Sequence, residues 1–156
     1  MGFRTAAECL TMLFVFAWGA FSLFLAFRAV VISLYYRRMR RFSEPADDRH
    51  TELCRSVAEE LGTVAPPVLK NRYVTGTFIV GLLHPTIMIP WGKRADLMTT
   101  REVFLHEIAH VVRRDHIWLH IGHLGKILLP FQPLVWVLAH EMEEAGDFAC
   151  DDYVLQ

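Results

Sequence analysis

Cysteine is scarce and scattered. The three present, Cys9, Cys54 and Cys150, form no CxxC pair. They support no even-numbered disulfide framework, and they read as reduced thiols in a non-oxidising compartment. A surplus of either charge is also missing. The formal net charge is −1, so bulk charge gives no direct nucleic-acid partner. No internal repeat and no low-complexity tract breaks the chain. Its 156 residues fit one domain of ordinary size. The most telling absence is local: residues 9–27, CLTMLFVFAWGAFSLFLAF, carry no charge at all.

As a helix, residues 9–27 extend about 28 Å, close to the thickness of a bilayer core. Arg28 interrupts, and AVVISLYY continues the apolar run to Tyr36. Arg28 either snorkels toward an interface or faces protein. The basic stretch RRMRR (37–41) follows the run, whereas a cleaved signal carries its positive charge in front. Residues 1–42 therefore read as a retained transmembrane helix with a basic cytoplasmic flank. Tyr35 and Tyr36 suit an interfacial belt. The positive-inside rule places everything after Arg41 in the cytoplasm. The expected location is the inner (cytoplasmic) membrane, with the lipid bilayer as a partner.

Residues 43–156 form the second expected unit. SEPADDRH (43–50) reads as a polar linker, with Ser43 or Asp47 as a helix start. Leu53, Val57, Ala58 and Leu61 have helical spacing, which predicts a helix over 47–62 that stops at Gly62. Residues 66–90 turn to β-branched residues, glycine and proline, and predict two or three short strands. Pro85 and Pro90 suit edge or terminal positions. An exposed edge of that sheet is a place for an extended peptide to add as a strand; a plain packing hairpin is the alternative. From Thr99 or Thr100 the spacing predicts one helix over 99–129, with Glu102 in its first turn. The prolines of PFQP (130–133) end it, and a second helix runs over 133–154. The expected fold class is mainly α with a small β hairpin or sheet (α+β).

LHEIAH (105–110) carries the chemistry. Positions i and i+4 share a helix face, so His106 and His110 can offer imidazoles to one ion. Glu107 lies about 100° round the helix, beside such an ion, where a general base for an attacking water belongs. His116, His120 and His123 lack an accompanying glutamate in an apolar segment. They read as histidines hydrogen-bonded within a helix bundle. A catalytic zinc takes three protein ligands and keeps one open position. Candidates for the third are Glu141, Glu143, Glu144, Asp147, Asp151 and Asp152, all in HEMEEAGDFACDD (140–152). A single membrane crossing between His110 and those carboxylates would separate them. The two helices must fold back as an antiparallel apolar pair with PFQP at the tip, packed on the N-terminal helix and dipping into or crossing the bilayer.

HEIAHVVRRD, PFQPLVWVL, ACDDYVL and the upstream GLLHPTIMIP together resemble the integral-membrane zinc metallopeptidase domain of the BlaR/MecR antirepressor family. The resemblance runs from the first helix nearly to the last residue. It implies a gluzincin-like site with one zinc ion facing the cytoplasm. It also implies cleavage of a protein substrate: a transcriptional repressor, or the receptor itself. The family pattern E-x-A-C-D places its third zinc ligand at Asp147, where this chain has the shorter carboxylate; Glu143 and Glu144 stay as alternatives. Asp151 would orient a ligating histidine. Arg113 and Asp115 match the family's R-x-D, with Arg113 available to a carboxylate or a substrate carbonyl. The family's receptors carry more membrane helices and an extracellular sensor, so this chain is expected to be a fragment or a sensor-less relative.

The resulting expectation is a membrane-anchored zinc endopeptidase acting in signal transduction. Zinc would sit on His106, His110 and Asp147, and Glu107 would be the catalytic base. The alternatives are a non-catalytic signalling or scaffold module, and a general membrane quality-control metalloprotease.

Overall fold

A computed structural model of the chain describes residues 5–92 and 100–155. It is mostly helical with one small mixed sheet, as the composition pattern predicts. The first helix, α1 (Ala6–Arg41), has 36 residues, about 54 Å of rise. Thr5 and Glu8 close a capping box at its start. Among the described residues it is the one helix long and apolar enough to cross a membrane, and none of its apolar window is buried. A helix apolar on nearly every face, with no residue of its apolar window buried, is built for lipid rather than for a soluble core.

After α1 come β1 (Glu44–Pro45), α2 (Asp48–Glu60), β2 (Val68–Asn71), β3 (Phe78–Val80) and β4 (Thr86–Pro90). The stretch expected to be a linker, 43–50, instead contributes β1, which pairs antiparallel with β2. Asp47 precedes α2, and Gly62 takes the left-handed conformation (φ 65°) just past its end. The sheet order is β1-β2-β4-β3, with β2 and β4 parallel and β3 antiparallel on an outer edge.

Strand β4 alternates its two buried faces. Ile87 and Ile89 face α2 and the helix that carries His106 and His110, in a core with Val57, Phe104 and Ile108. Met88 faces the other way, onto Val74 and Val80, where Met39 from the end of α1 also packs. The sheet is therefore held between the motif helix and the foot of α1. Tyr36 meets Phe78 edge-on at 6.2 Å, and Asn71 Nδ2 donates to Ser43 Oγ at 2.9 Å, which ties that foot down.

Three helices complete the chain: α3 (Arg101–Arg113), α4 (Asp115–Leu128) and α5 (Pro133–Leu155). The expected single helix over 99–129 is thus two helices. Arg114 adopts φ 61°, ψ 32°, and its N–H bonds back to His110 and Val111 carbonyls. No glycine or proline announces this break; a left-handed non-glycine residue is held there by its surroundings. Thr99, one of the two proposed caps, lies outside the described residues; Thr100 sits at the N-cap position without capping the backbone through its side chain.

Helices α4 and α5 form the hairpin expected around PFQP. They approach closely because two glycines line the contact. A Cβ on Gly122 would meet the Ala139 methyl at 3.2 Å, and one on Gly125 would meet Val135 at 3.1 Å. The hairpin tip leans on α1: Trp18 Nε1 donates to the Leu128 carbonyl at 3.1 Å, and Phe131 packs on Phe14 and Phe21 at 5.9 and 5.6 Å.

Candidate metal centre

Helix α3 buries Phe104, Leu105, Ile108 and Ala109 against the sheet and α2. Its opposite face presents His106 and His110, one turn apart, to α5. Their Nε2 atoms lie 3.2 Å from each other. From α5, Asp147 brings Oδ1 to 3.5 Å from His110 Nε2. One ligand atom from each of His106, His110 and Asp147 lies within 4.8 Å of the others. The tertiary fold therefore brings these three together across the hairpin.

The other nitrogen of each imidazole is engaged. His106 Nδ1 meets Asp151 Oδ1 at 2.9 Å, and His110 Nδ1 meets Asp115 Oδ2 at 2.9 Å. Carboxylates only accept, so each Nδ1 carries the proton and each neutral ring directs an Nε2 lone pair inward. Two lone pairs facing at 3.2 Å are mutually unfavourable unless a cation lies between them. Two nitrogens on a tetrahedral zinc, each at about 2.05 Å, are separated by about 3.3 Å. The donor set, its spacing and the carboxylate support behind each histidine all fit a zinc ion.

Asp115 is the hub behind His110. Its Oδ2 also accepts from Arg113 Nε at 3.1 Å and from the Cys150 thiol at 3.6 Å. Burial by itself would raise the pKa of Asp115. The hydrogen bonds from His110 and Arg113 outweigh that and lower it. On a continuous helix, a residue five beyond His110 would lie about 140° away. The left-handed Arg114 is what folds Asp115 back to that imidazole. His110, Asp115 and Cys150 also lie close together, but burial pushes the Cys150 thiol up to about 12, with Asp115 adding to it. Cys150 is therefore a protonated donor to Asp115.

Glu107 follows His106 in α3 and is partly buried. Burial first, and the negative charge of Asp147 second, push its carboxyl up to about 8. A carboxyl held this way in metal-free protein becomes an anion readily once a dication lies beside it.

The remaining candidates fall as follows. Glu143 lines a cavity of about 200 Å³ next to the site, together with Trp118, Leu119 and Met142, and Glu144 faces His140 at 3.4 Å. Neither belongs to a ligand cluster among the described residues. Nor do His120 and His123, whose Nδ1 atoms bond the carbonyls of His116 and Leu119 in their own helix. Sequence reasoning missed Cys150, whose role depends on the Arg114 break. Its spacing three residues past Asp147, on the same face of α5, was the available signal.

A paired imidazole face with an inward carboxylate on a neighbouring helix defines a metallopeptidase-like centre. A profile of the family described as BlaR1 peptidase M56 matches residues 3–156, and the chain belongs to that family. It is 34% identical over 79 residues to the "Regulatory protein BlaR1" of Bacillus licheniformis, a match covering 49% of this chain and 13% of that relative's length. The family is one of peptidases, and the exposed apolar helix α1 gives this member a candidate membrane span.

Proposed function

We propose that this chain is a zinc-dependent endopeptidase that cleaves a protein at the membrane surface, with a transcriptional repressor or its own receptor chain as the substrate class. The observation that carries the reading is the 3.2 Å approach of two imidazole Nε2 atoms whose Nδ1 atoms are both held by aspartates. His106, His110 and Asp147 would hold the ion. Bound zinc supplies a Lewis acid that polarises a scissile carbonyl and acidifies a nearby water. Glu107 takes the proton of the attacking water and returns it to the leaving amine nitrogen. Asp115 and Asp151 keep both rings in the donating orientation. Strand β3, at the sheet's outer edge, is available for an extended substrate to lie along.

The basic foot of α1 directs the peptidase unit to the cytoplasm by the positive-inside rule. The name of the Bacillus licheniformis relative supports a regulatory role, and a repressor is the substrate we assign. Detergent-purified protein should hold about one zinc per chain. His106→Ala should lose it. Glu107→Gln should keep the zinc and lose cleavage. Wild-type protein that binds no zinc sinks the proposal.

A second reading has one observation behind it. Asp147 is 70% exposed at its side chain and one methylene shorter than the glutamate of the family pattern. A non-catalytic signalling module would show zinc binding without cleavage, and Asp147→Glu would create activity where none existed.

A further inference from the structure

The last turns of α1 carry a feature that the metal centre does not use. Arg37, Arg40 and Arg41 recur at i, i+3 and i+4, so they share a face of the helix. With Leu69 of β2 they line a cleft of about 410 Å³, within the range of small-ligand sites. Arg40 is tethered, its Nη1 donating to the His84 carbonyl at 3.4 Å. That carbonyl belongs to a tight turn closed by Gly81, at φ 107°, where a Cβ would stand 2.5 Å from His84 O. Arg37 and Arg41 have no carboxylate partner among the described residues. Two unpaired guanidinium groups and a tethered third converge on one cavity. Planar, permanently charged forks in this arrangement suit a phosphate oxygen cluster.

The same face of α1 continues toward the membrane as Val30 and Leu34, each 56% exposed. Positions 30, 34, 37 and 41 fall within about 60° of one another on a helical wheel, a single stripe. It runs apolar for about one turn and then cationic for about one. The half-buried positions Phe21, Leu25 and Ala29 lie on another side of the helix. The stripe therefore has the polarity profile of one amphiphile, with an acyl chain below and an anionic headgroup above.

We infer that the cleft between the foot of α1 and strand β2 binds the headgroup phosphate of an anionic phospholipid, held by Arg37, Arg40 and Arg41, with an acyl chain along Val30 and Leu34. Because the cleft joins α1 to the sheet, a lipid seated there contacts both units and fixes the depth of the sheet at the membrane surface. The inference is independent of zinc and of proteolysis.

The test uses the whole chain in a neutral detergent, with thermal midpoint and lipid retention in native mass spectrometry as readouts. Phosphatidylglycerol should raise the midpoint and remain bound. Phosphatidylcholine and inorganic phosphate at the same concentration should do neither. Arg37→Gln with Arg41→Gln should weaken phosphatidylglycerol retention about thirtyfold, from roughly fivefold per lost charge, and leave the lipid-free midpoint unchanged. Arg38→Gln is the control, since Arg38 lies over the Phe42 ring and outside the cleft. The inference is overturned if phosphatidylcholine is retained equally, or if Arg38→Gln weakens retention as much as the double variant. Stabilisation by inorganic phosphate to the same extent also overturns it, because the ligand is then the free anion.

Discussion

Arg114 and Asp115 decide the shape of the centre at the level of single residues. A left-handed arginine costs about 1 kcal/mol relative to glycine, and a β-branched residue costs more. Arg114→Gly should therefore raise the thermal midpoint of detergent-purified protein, and Arg114→Val should lower it. Asp115→Ala removes the acceptor of three donors, and His110 loses the group that sets its tautomer. Zinc affinity should fall about 10- to 100-fold, read by competition with a chromogenic chelator. Glu107 gives a pH signature in metal-free protein. Its folded carboxyl titrates near 8 against an ordinary value of 4.5, so the folded state holds a proton that the unfolded chain has released. Stability is then fullest below about pH 4.5 and falls as pH rises through 8. Glu107→Gln should flatten that slope in thermal melts across the same window, and a variant that keeps the full slope would assign it to another group. The imidazole pair was legible from the sequence because i and i+4 spacing is a local property of any helix. Asp115 was placed near the site only by resemblance, because nothing in RRD signals a left-handed turn.

Among the elements, the α4–α5 hairpin brings the third donor to the centre. Asp147, Cys150 and Asp151 recur at i, i+3 and i+4 on α5; Asp147 and Asp151 reach the histidines of α3, and Cys150 reaches Asp115 at the start of α4. Their reach depends on α4 and α5 being close, and that depends on Gly122 and Gly125. Gly122→Leu inserts four carbons where a single Cβ would already press on Ala139. Overpacking of this kind costs about 1–3 kcal/mol. The variant should lose zinc occupancy as α5 shifts, measured as metal per chain after gel filtration, while Gly76→Leu, in open space, should not. The hairpin itself was legible from PFQP and the apolar runs on either side. The division of the preceding helix at Arg114 was not, since propensity alone favours continuing through VVRRDHIW. The two-residue strand β1 was also hidden, because its pairing partner is more than twenty residues away in β2.

For the molecule as a whole, α1 works as a ruler. Trp18, which holds the hairpin tip, and Arg37, which starts the basic cluster, are nineteen residues apart, about 28 Å of helix. The hairpin therefore reaches about one bilayer thickness from the arginines. Trp18→Phe removes the hydrogen bond to Leu128 and should loosen the tip by about 1 kcal/mol, seen as faster amide exchange over residues 126–134 with little change in the sheet. The sheet is fastened separately at the other end of α1 by Tyr36, Met39 and Ser43. One long helix thus carries two fastenings, with the metal centre on the elements between them.

By itself the sequence determined the apolar span, the basic flank, the short strands of residues 66–90 and the histidine pair on one helix face. Each is a short-range pattern, set by residues within a few turns of one another. Only the tertiary structure decided that Asp147 meets His110, that Asp115 turns back behind it, and that Arg37 and Arg41 open onto β2 with no carboxylate partner among the described residues. Those outcomes depend on how close two helices can approach and on which carbonyls hold a left-handed residue, and both are properties of packing between segments far apart in the chain.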